Sequence, residues 1–248
     1  MITYKTEKEI EIMKRAGRML HIVLQEAPKY VTRGARTSSI NTHIENKILE
    51  LGGEPEFKRV KGYRWATCIC INEQAVHTPP SERVVEDGDV VTIDAGVFLE
   101  GFHTDSAITI QIGTQDPQIE HFLETGKRAL NRAIKQAIVG KRIGHISRAF
   151  QKTIESGGYA IISELTGHGI GKDLHEDPYV PCFSGRPIGK TMELKKGMTL
   201  ALEVMYAMGD SKIKYEKDGW SICTADKSVT ACFEHSVVIE ENKPFILT

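Results

Sequence analysis

Asp94 lies inside the apolar run Val90-Val91-Thr92-Ile93-Asp94, where an unpartnered charge is costly. A second acid, Asp105, follows eleven residues on. Farther along, Glu203 sits within Leu200-Ala201-Leu202-Glu203-Val204-Met205, and Glu234 precedes Ser236-Val237-Val238-Ile239. Carboxylates at strand positions repel one another unless a proton or a cation intervenes. Gathered in one place, these four would be neutralised by two divalent cations. A turn on Leu99-Glu100 pairs Val97 with Phe102 and sets Asp94 opposite Asp105, with Cβ atoms about 4.5 to 5.5 Å apart. Between the acids stands Gly167-His168-Gly169-Ile170-Gly171, whose glycines let a backbone approach closely while one imidazole projects. His175 follows in Leu174-His175-Glu176. A phosphate cradle is disfavoured, because neither a Walker lysine nor G-x-G-x-x-G is present. The nitrogen of His168 argues against a structural calcium site. His21, His43, His121 and His145 lie on polar stretches and read as hydrogen-bonded fillers.

The elements that must position these groups occur twice. Thr6 and Glu9 form a capping box before Ile10, Met13, Ala16, Leu20, Val23 and Leu24 at helical spacing. A second helix carries Ile40, Ile44 and Ile48 and stops at Gly52-Gly53. Asp116-Pro117 opens a third with Ile119, Phe122, Leu123, Leu130, Ile134 and Ile138, and a fourth carries Ile146, Phe150 and Ile154 up to Gly157-Gly158. Apolar positions fall at +6, +10 and +14 from both Gly34 and Gly140. In each strand that follows, a carboxylate stands six residues after a glycine, Asp94 after Gly88 and Glu203 after Gly197. Helices followed by strands in each half predict an α+β fold, with strands gathered in a sheet and helices on one face. One domain over 1–248 is expected, with halves near 1–110 and 111–248.

Composition narrows the partners. Thirty-two basic against thirty-three acidic residues give a net charge of −1, which offers no general field for nucleic acid or an anionic membrane. No stretch reaches the length of a membrane span, and no apolar block follows a basic head as in a secretory leader. Five cysteines without a C-x-x-C fit a reducing compartment and a cytoplasmic protein, and read as small buried hydrophobes.

Ile93-Asp94, Gly101-Phe102-His103-Thr104-Asp105, Thr166 to Gly171, Leu174-His175-Glu176, Leu202 to Met205, Asp218-Gly219-Trp220 and Glu234-His235 together resemble the type I methionine aminopeptidases. The resemblance spans essentially the whole chain. It implies a pita-bread fold, a pseudo-twofold repeat around a curved antiparallel sheet, and removal of initiator methionine from nascent chains when the next residue is small. Metal-activated hydroxide would attack the scissile peptide. By position it implies Asp94, Asp105, His168, Glu203 and Glu234 as ligands of two divalent metal ions, drawn from Mn, Fe, Co or Zn. His77, His175 and Glu203 take catalytic roles, and Tyr63, Cys68, Trp220, His77 and His175 contact substrate. The chain departs from the family at Thr78-Pro79, Val204, Val60 and Leu174, the last two replacing a common tyrosine and phenylalanine in the methionine pocket. A monomer is expected, with N-terminal Met-peptides as partners, a transient encounter with the ribosome, and no stable nucleic-acid or membrane partner. An X-Pro-type specificity or a non-catalytic peptide-binding role are the alternatives.

Overall fold

Capping and periodicity place the helices. The structure, a computed structural model, describes residues 2–248. Helix α1 (Glu7–Glu26) begins at the Thr6/Glu9 capping box: Thr6 Oγ1 accepts the Glu9 N–H at 3.3 Å, and Glu9 accepts the Thr6 N–H at 2.8 Å. Helix α2 (Thr37–Glu50) buries Ile40, Ile44 and Ile48. Helix α3 (Pro117–Ile134) is capped by the Asp116 carboxylate, which accepts the Gln118 N–H at 2.8 Å. It ends one turn before Ile138, which bridges instead to Glu240. The Val139 N–H bonds the Glu240 carbonyl at 3.1 Å, so this stretch takes its backbone partners from the sheet end rather than from another helical turn. Helix α4 (Ile143–Ser156) buries Ile146, Phe150 and Ile154.

The first part of the chain contributes strands β1 (Glu54–Pro55), β2 (Thr67–Ile71), β3 (Gln74–Val76), β4 (Val90–Leu99) and β5 (Phe102–Gln111). The later part adds β6 (Ala160–Ile161), β7 (Thr166–Gly169), β8 (Glu176–Pro181), β9 (Thr199–Ala207), β10 (Ile213–Tyr215), β11 (Ile222–Thr224), β12 (Thr230–Val238) and β13 (Phe245–Ile246). Strand β4 is the hub of one antiparallel ladder, flanked by β1, β2 and β5. A second ladder runs β13-β12-β9-β7-β8, with β6 also on β9, and β10-β11-β3 form a short third. Among the described residues, no helix is long and apolar enough to cross a membrane.

The β4–β5 hairpin differs from the expected register. Its two-residue loop is Glu100-Gly101, with φ of 48° and 91°, the left-handed pair that a type I′ turn requires. Leu99 therefore faces Phe102, Asp94 faces Ala107, and Asp105 faces Gly96. Asp94 and Asp105 are diagonal neighbours rather than opposite partners. The slip is two residues, and side chains alternate with period two, so both acids remain on one face. On the other ladder Glu203 faces Glu234 directly.

The two large ladders meet where β5 lies against β12, and side-chain hydroxyls bind them. Thr109 Oγ1 donates to the Cys232 carbonyl at 2.6 Å and accepts the Cys232 N–H at 3.0 Å. Ser236 Oγ does the same for the backbone of Asp105, at 2.8 and 3.0 Å. Ser106 Oγ donates to the Glu234 carbonyl at 2.7 Å. Equivalent backbone bonds also recur in the two parts of the chain. Gly34 N–H to Val85 O, Thr37 N–H to Arg83 O and Val85 N–H to Ala35 O are repeated by Gly140 to Leu194, Ile143 to Met192 and Leu194 to Lys141. Replacing Thr109 by Val keeps the shape but leaves a buried N–H and carbonyl unpaired. Urea unfolding is expected to show a loss of about 2 to 4 kcal/mol, and a loss within error of zero would remove these hydroxyls from the stabilising set.

Candidate metal centre and pocket

Strand geometry brings the four acids and His168 to one place. Asp94 and Asp105 come from the β4–β5 hairpin, and Glu203 and Glu234 from the β9–β12 pair. His168 on β7 pairs with Ala201, two residues before Glu203. Its flanking glycines are sterically required: a Cβ at Gly167 would lie 2.5 Å from the Ala201 carbonyl, and one at Gly169 would lie 2.3 Å from that of Asp177. His168 Nδ1 is 2.9 Å from the Gly169 carbonyl. Because a carbonyl only accepts, Nδ1 carries the proton and Nε2 keeps its lone pair. That Nε2 lies 3.7 Å from Glu203 Oε1.

Ligand atoms of Asp105, His168 and Glu234 lie within 4.8 Å of one another, all on buried residues. Asp94 Oδ1, Asp105 Oδ1 and Glu234 Oε1 are buried without a hydrogen-bond partner among the described residues. Burial pushes the Asp105 carboxyl up to about 7. Burial first, and neighbouring acids second, hold Asp94, Glu203 and Glu234 well above the usual carboxylate range. Burial, with His175 nearby, lowers His168 to about 3, so its imidazole is neutral at physiological pH. Orphaned acid oxygens around a neutral imidazole fit a divalent cation, which removes the repulsion and takes up the free lone pairs.

A cavity of about 130 Å³ opens beside these groups. Its polar end is the acid cluster, and its other end is formed by Phe57, Val60, Tyr63, Cys68, Leu174 and Trp220. Cys68 pairs with Asp94 across β2–β4, so a wall of the apolar end and a candidate ligand share one rung of the ladder. Tyr63 packs edge-on to Trp220 at 5.0 Å. Its hydroxyl is occupied by the Thr67 carbonyl at 2.9 Å, which leaves the ring to line the pocket. Asp218 fixes the Trp220 turn by accepting the Trp220 and Ser221 N–H groups at 2.9 and 2.8 Å. His77 and His175 also line the cavity, and both are exposed. His77 has φ of 59°, an uncommon conformation for a residue with a side chain, and one that clusters at functional sites. The His175 ring stands edge-on to that of His168 at 4.4 Å. Every residue to which the resemblance assigns a ligand, catalytic or substrate role thus borders this cavity, and so do Val60 and Leu174 among the departures, whereas Thr78, Pro79 and Val204 do not.

Glu56 and His103 were not anticipated. Glu56 is wholly buried, and its Oε1 lies 3.2 Å from His103 Nδ1. A Cβ on Gly96 would lie 2.1 Å from Glu56 Oε2. A glycine inside an apolar strand marks such a close approach, and this was the available signal. Cys70, Thr92 and Cys232 line the cavity as well, each two residues from a named site position on its strand. Of the four histidines read as fillers, His43 stacks on Tyr30 at 4.4 Å, and His145 Nδ1 accepts the Arg142 N–H at 3.0 Å.

Known proteins match both the chain and its fold. The chain is 37% identical over 248 residues to a methionine aminopeptidase of Bacillus subtilis, covering 100% of this chain and 99% of that one. A relative of the same name from Clostridium perfringens is 38% identical with the same coverage. The solved structure of a methionine aminopeptidase from Thermotoga maritima superposes with a TM-score of 0.97 at 38% identity, covering 100% of this chain and 99% of the other. A prolidase from Pyrococcus furiosus shares the fold, with a TM-score of 0.80 at 23% identity, covering 99% of this chain and 65% of its own. The pita-bread architecture is therefore established. Residues 11–241 match metallopeptidase family M24, and with full-length relatives above 35% identity this chain belongs to that family of metal-dependent peptidases.

Proposed function

We propose that this protein removes the initiator methionine from nascent proteins and peptides whose second residue is small. The observation that carries the reading is one cavity with an apolar, aromatic-lined end and a cluster of buried acids with His168 at the other. Full-length likeness to proteins named methionine aminopeptidase supports it. The whole of 1–248 acts as one catalytic unit, with halves near 1–110 and 111–248 each contributing one acid pair. It works in the cytoplasm as a monomer on N-terminal Met-peptides, met transiently at the ribosome; five free, buried cysteines fit that compartment.

In this reading Asp94, Asp105, His168, Glu203 and Glu234 hold two divalent ions of Mn, Fe, Co or Zn. When bound, these acidify water to a nucleophile at neutral pH and polarise the scissile carbonyl. The chain's own groups do the rest. Tyr63, Cys68 and Trp220 enclose the methionine side chain and exclude water around it. That anchoring fixes the peptide bond over the acid cluster, and the gain from such positioning is large. Glu203 is the least buried acid of its pair, with its side chain 13% exposed, and moves the proton from the attacking water to the departing amine. His77, near the substrate amine and scissile peptide, and His175, both at the cavity wall, stabilise the tetrahedral intermediate by donating to the oxygen that becomes negative.

Metal-reconstituted protein is expected to hydrolyse Met-Ala-Ser and leave Ala-Pro peptides intact. Glu203→Gln is expected to lower kcat by about 10² to 10⁴, and His168→Ala to abolish turnover at the same metal concentration. Near wild-type rates in either variant would refute the assignment. Cleavage of Ala-Pro instead would move the enzyme to X-Pro specificity, and cleavage of neither would leave a peptide-binding protein.

Proton linkage gives a second test. Burial raises Asp105 from 3.8 to about 7, so between those values the folded metal-free state binds the extra proton. Its contribution to stability is present at low pH and is lost as pH rises through about 7. A divalent metal must displace that proton. The gain in thermal midpoint on adding Mn²⁺ or Co²⁺ is therefore expected to be larger at about pH 8 than at about pH 5.5. Scanning calorimetry showing equal gains would contradict ligation by these acids.

A further inference from the structure

The last glycine of Gly167 to Gly171 is not explained by His168. A Cβ at Gly171 would lie 2.2 Å from Lys5 Cε and 2.5 Å from Lys5 Nζ. The stem of an amino-terminal lysine thus crosses directly over this α-carbon. Its ammonium ends on Glu176 at 2.5 Å, with the two side chains only 4% and 6% exposed. The segment is held there by further bonds. The Lys5 N–H donates to the Gly197 carbonyl at 2.8 Å, and Thr3 Oγ1 donates to the same Glu176 oxygen.

The second oxygen of Glu176 faces the loop before it. Oε1 accepts the N–H of Lys172 at 2.7 Å and of Asp173 at 3.3 Å. One carboxylate therefore joins the amino-terminal segment with one oxygen and gathers the loop 171–175 with the other. The start of that loop is fixed separately, by His103 N–H donating to the Gly171 carbonyl at 2.8 Å. The loop carries Leu174 and His175, both on the cavity wall. A buried ammonium and carboxylate give little net stability compared with apolar groups of like shape, but removing one leaves the other uncompensated. Their placement one residue from His175 gives the pair a geometric role.

We propose that Lys5 and Glu176 are positioning residues: the amino-terminal segment threads its ammonium past Gly171 onto Glu176 and so fixes the loop that presents His175 and Leu174 to the substrate. This rests on the reading of His175 as a substrate-contacting group. Neither residue touches the reacting atoms.

Two variants test it in metal-loaded, full-length protein. Lys5→Met keeps the stem and removes the charge, whereas Gly171→Ala keeps both charges and displaces the stem. Each is expected to lower kcat on Met-Ala-Ser by roughly 10- to 100-fold, the scale of a small misplacement, with KM and metal content per chain little changed. Amide hydrogen exchange is expected to accelerate at 171–176 while Thr199–Ala207 stays protected. Wild-type kcat with unchanged exchange at 171–176 overturns the proposal. So does a fall in kcat accompanied by metal loss or by faster exchange in Thr199–Ala207, which marks general loosening. If the parent protein cleaves no Met-peptide, the functional reading fails on its own. The exchange comparison then decides the strut, and an unaltered loop in Lys5→Met overturns it.

Discussion

Four carboxylates held together away from bulk water set the condition that the rest of this structure must meet. Two such charges about 5 Å apart repel by roughly 3 kcal/mol even at an effective dielectric of 20. A loop would relax that repulsion by moving. Here each acid is rooted in the middle of a ladder, and the backbones of Asp105 and Glu234 are bound across the seam by Ser236 and Ser106. The acids cannot part, so they must be neutralised in place by protons or by a cation. The raised carboxyl of Asp105 and the lone pair left on His168 Nε2 are two expressions of the same constraint.

The same rigidity fixes the apolar end of the cavity relative to the acids. Cys68 and Asp94 are cross-strand partners, and His168 lies across from Ala201, two residues from Glu203. Distances between the apolar end of the cavity and the acids are therefore set by strand spacing, about 4.7 to 4.9 Å per step, rather than by loop closure. The parts that do lie on loops or turns are tied down individually: Trp220 through Asp218, and His175 through its neighbour Glu176. His77 and His175 are exposed while His168 is not, and the proposed contact of the first two with the substrate carbonyl needs that access.

Period-two alternation made the acids legible in the sequence, because a carboxylate inside Val-Val-Thr-Ile has only a partnered reading. It also protected that reading from the misplaced turn, since a two-residue slip keeps every side chain on its face. Turn position itself depended on two successive left-handed residues, and Glu100 gives no sign of that beyond the Gly101 beside it. The seam was not legible: Thr109, Ser106 and Ser236 are ordinary strand residues until two ladders meet edge to edge and need donors. Ile138 continued a helical pattern faithfully but was claimed by Glu240, a partner a hundred residues away. Glu56 was hidden because a carboxylate after Pro55 in a short turn reads as solvated, and only Gly96 pointed to what lies over it.

Glu56 also shows why buried acid alone is not a metal signature. It packs over Gly96, on the same strand face as Asp94, and burial raises its carboxyl well above the usual range, with Asp105 and Asp94 adding to the effect. Its contact is His103, which burial lowers to about 4. A protonated carboxyl beside a neutral imidazole carries no charge, so this pair needs no cation for charge balance, although Glu56 Oε1 and Oε2 and His103 Nδ1 make no hydrogen bond among the described residues. Asp94, Asp105, Glu203 and Glu234 face a different imidazole. His168 already donates its Nδ1 proton to the Gly169 carbonyl and offers them the Nε2 lone pair instead. Ionised acids faced by a lone pair repel it as they repel one another; protons can quiet the acids one at a time, whereas a divalent cation would take up the lone pair and the carboxylates together.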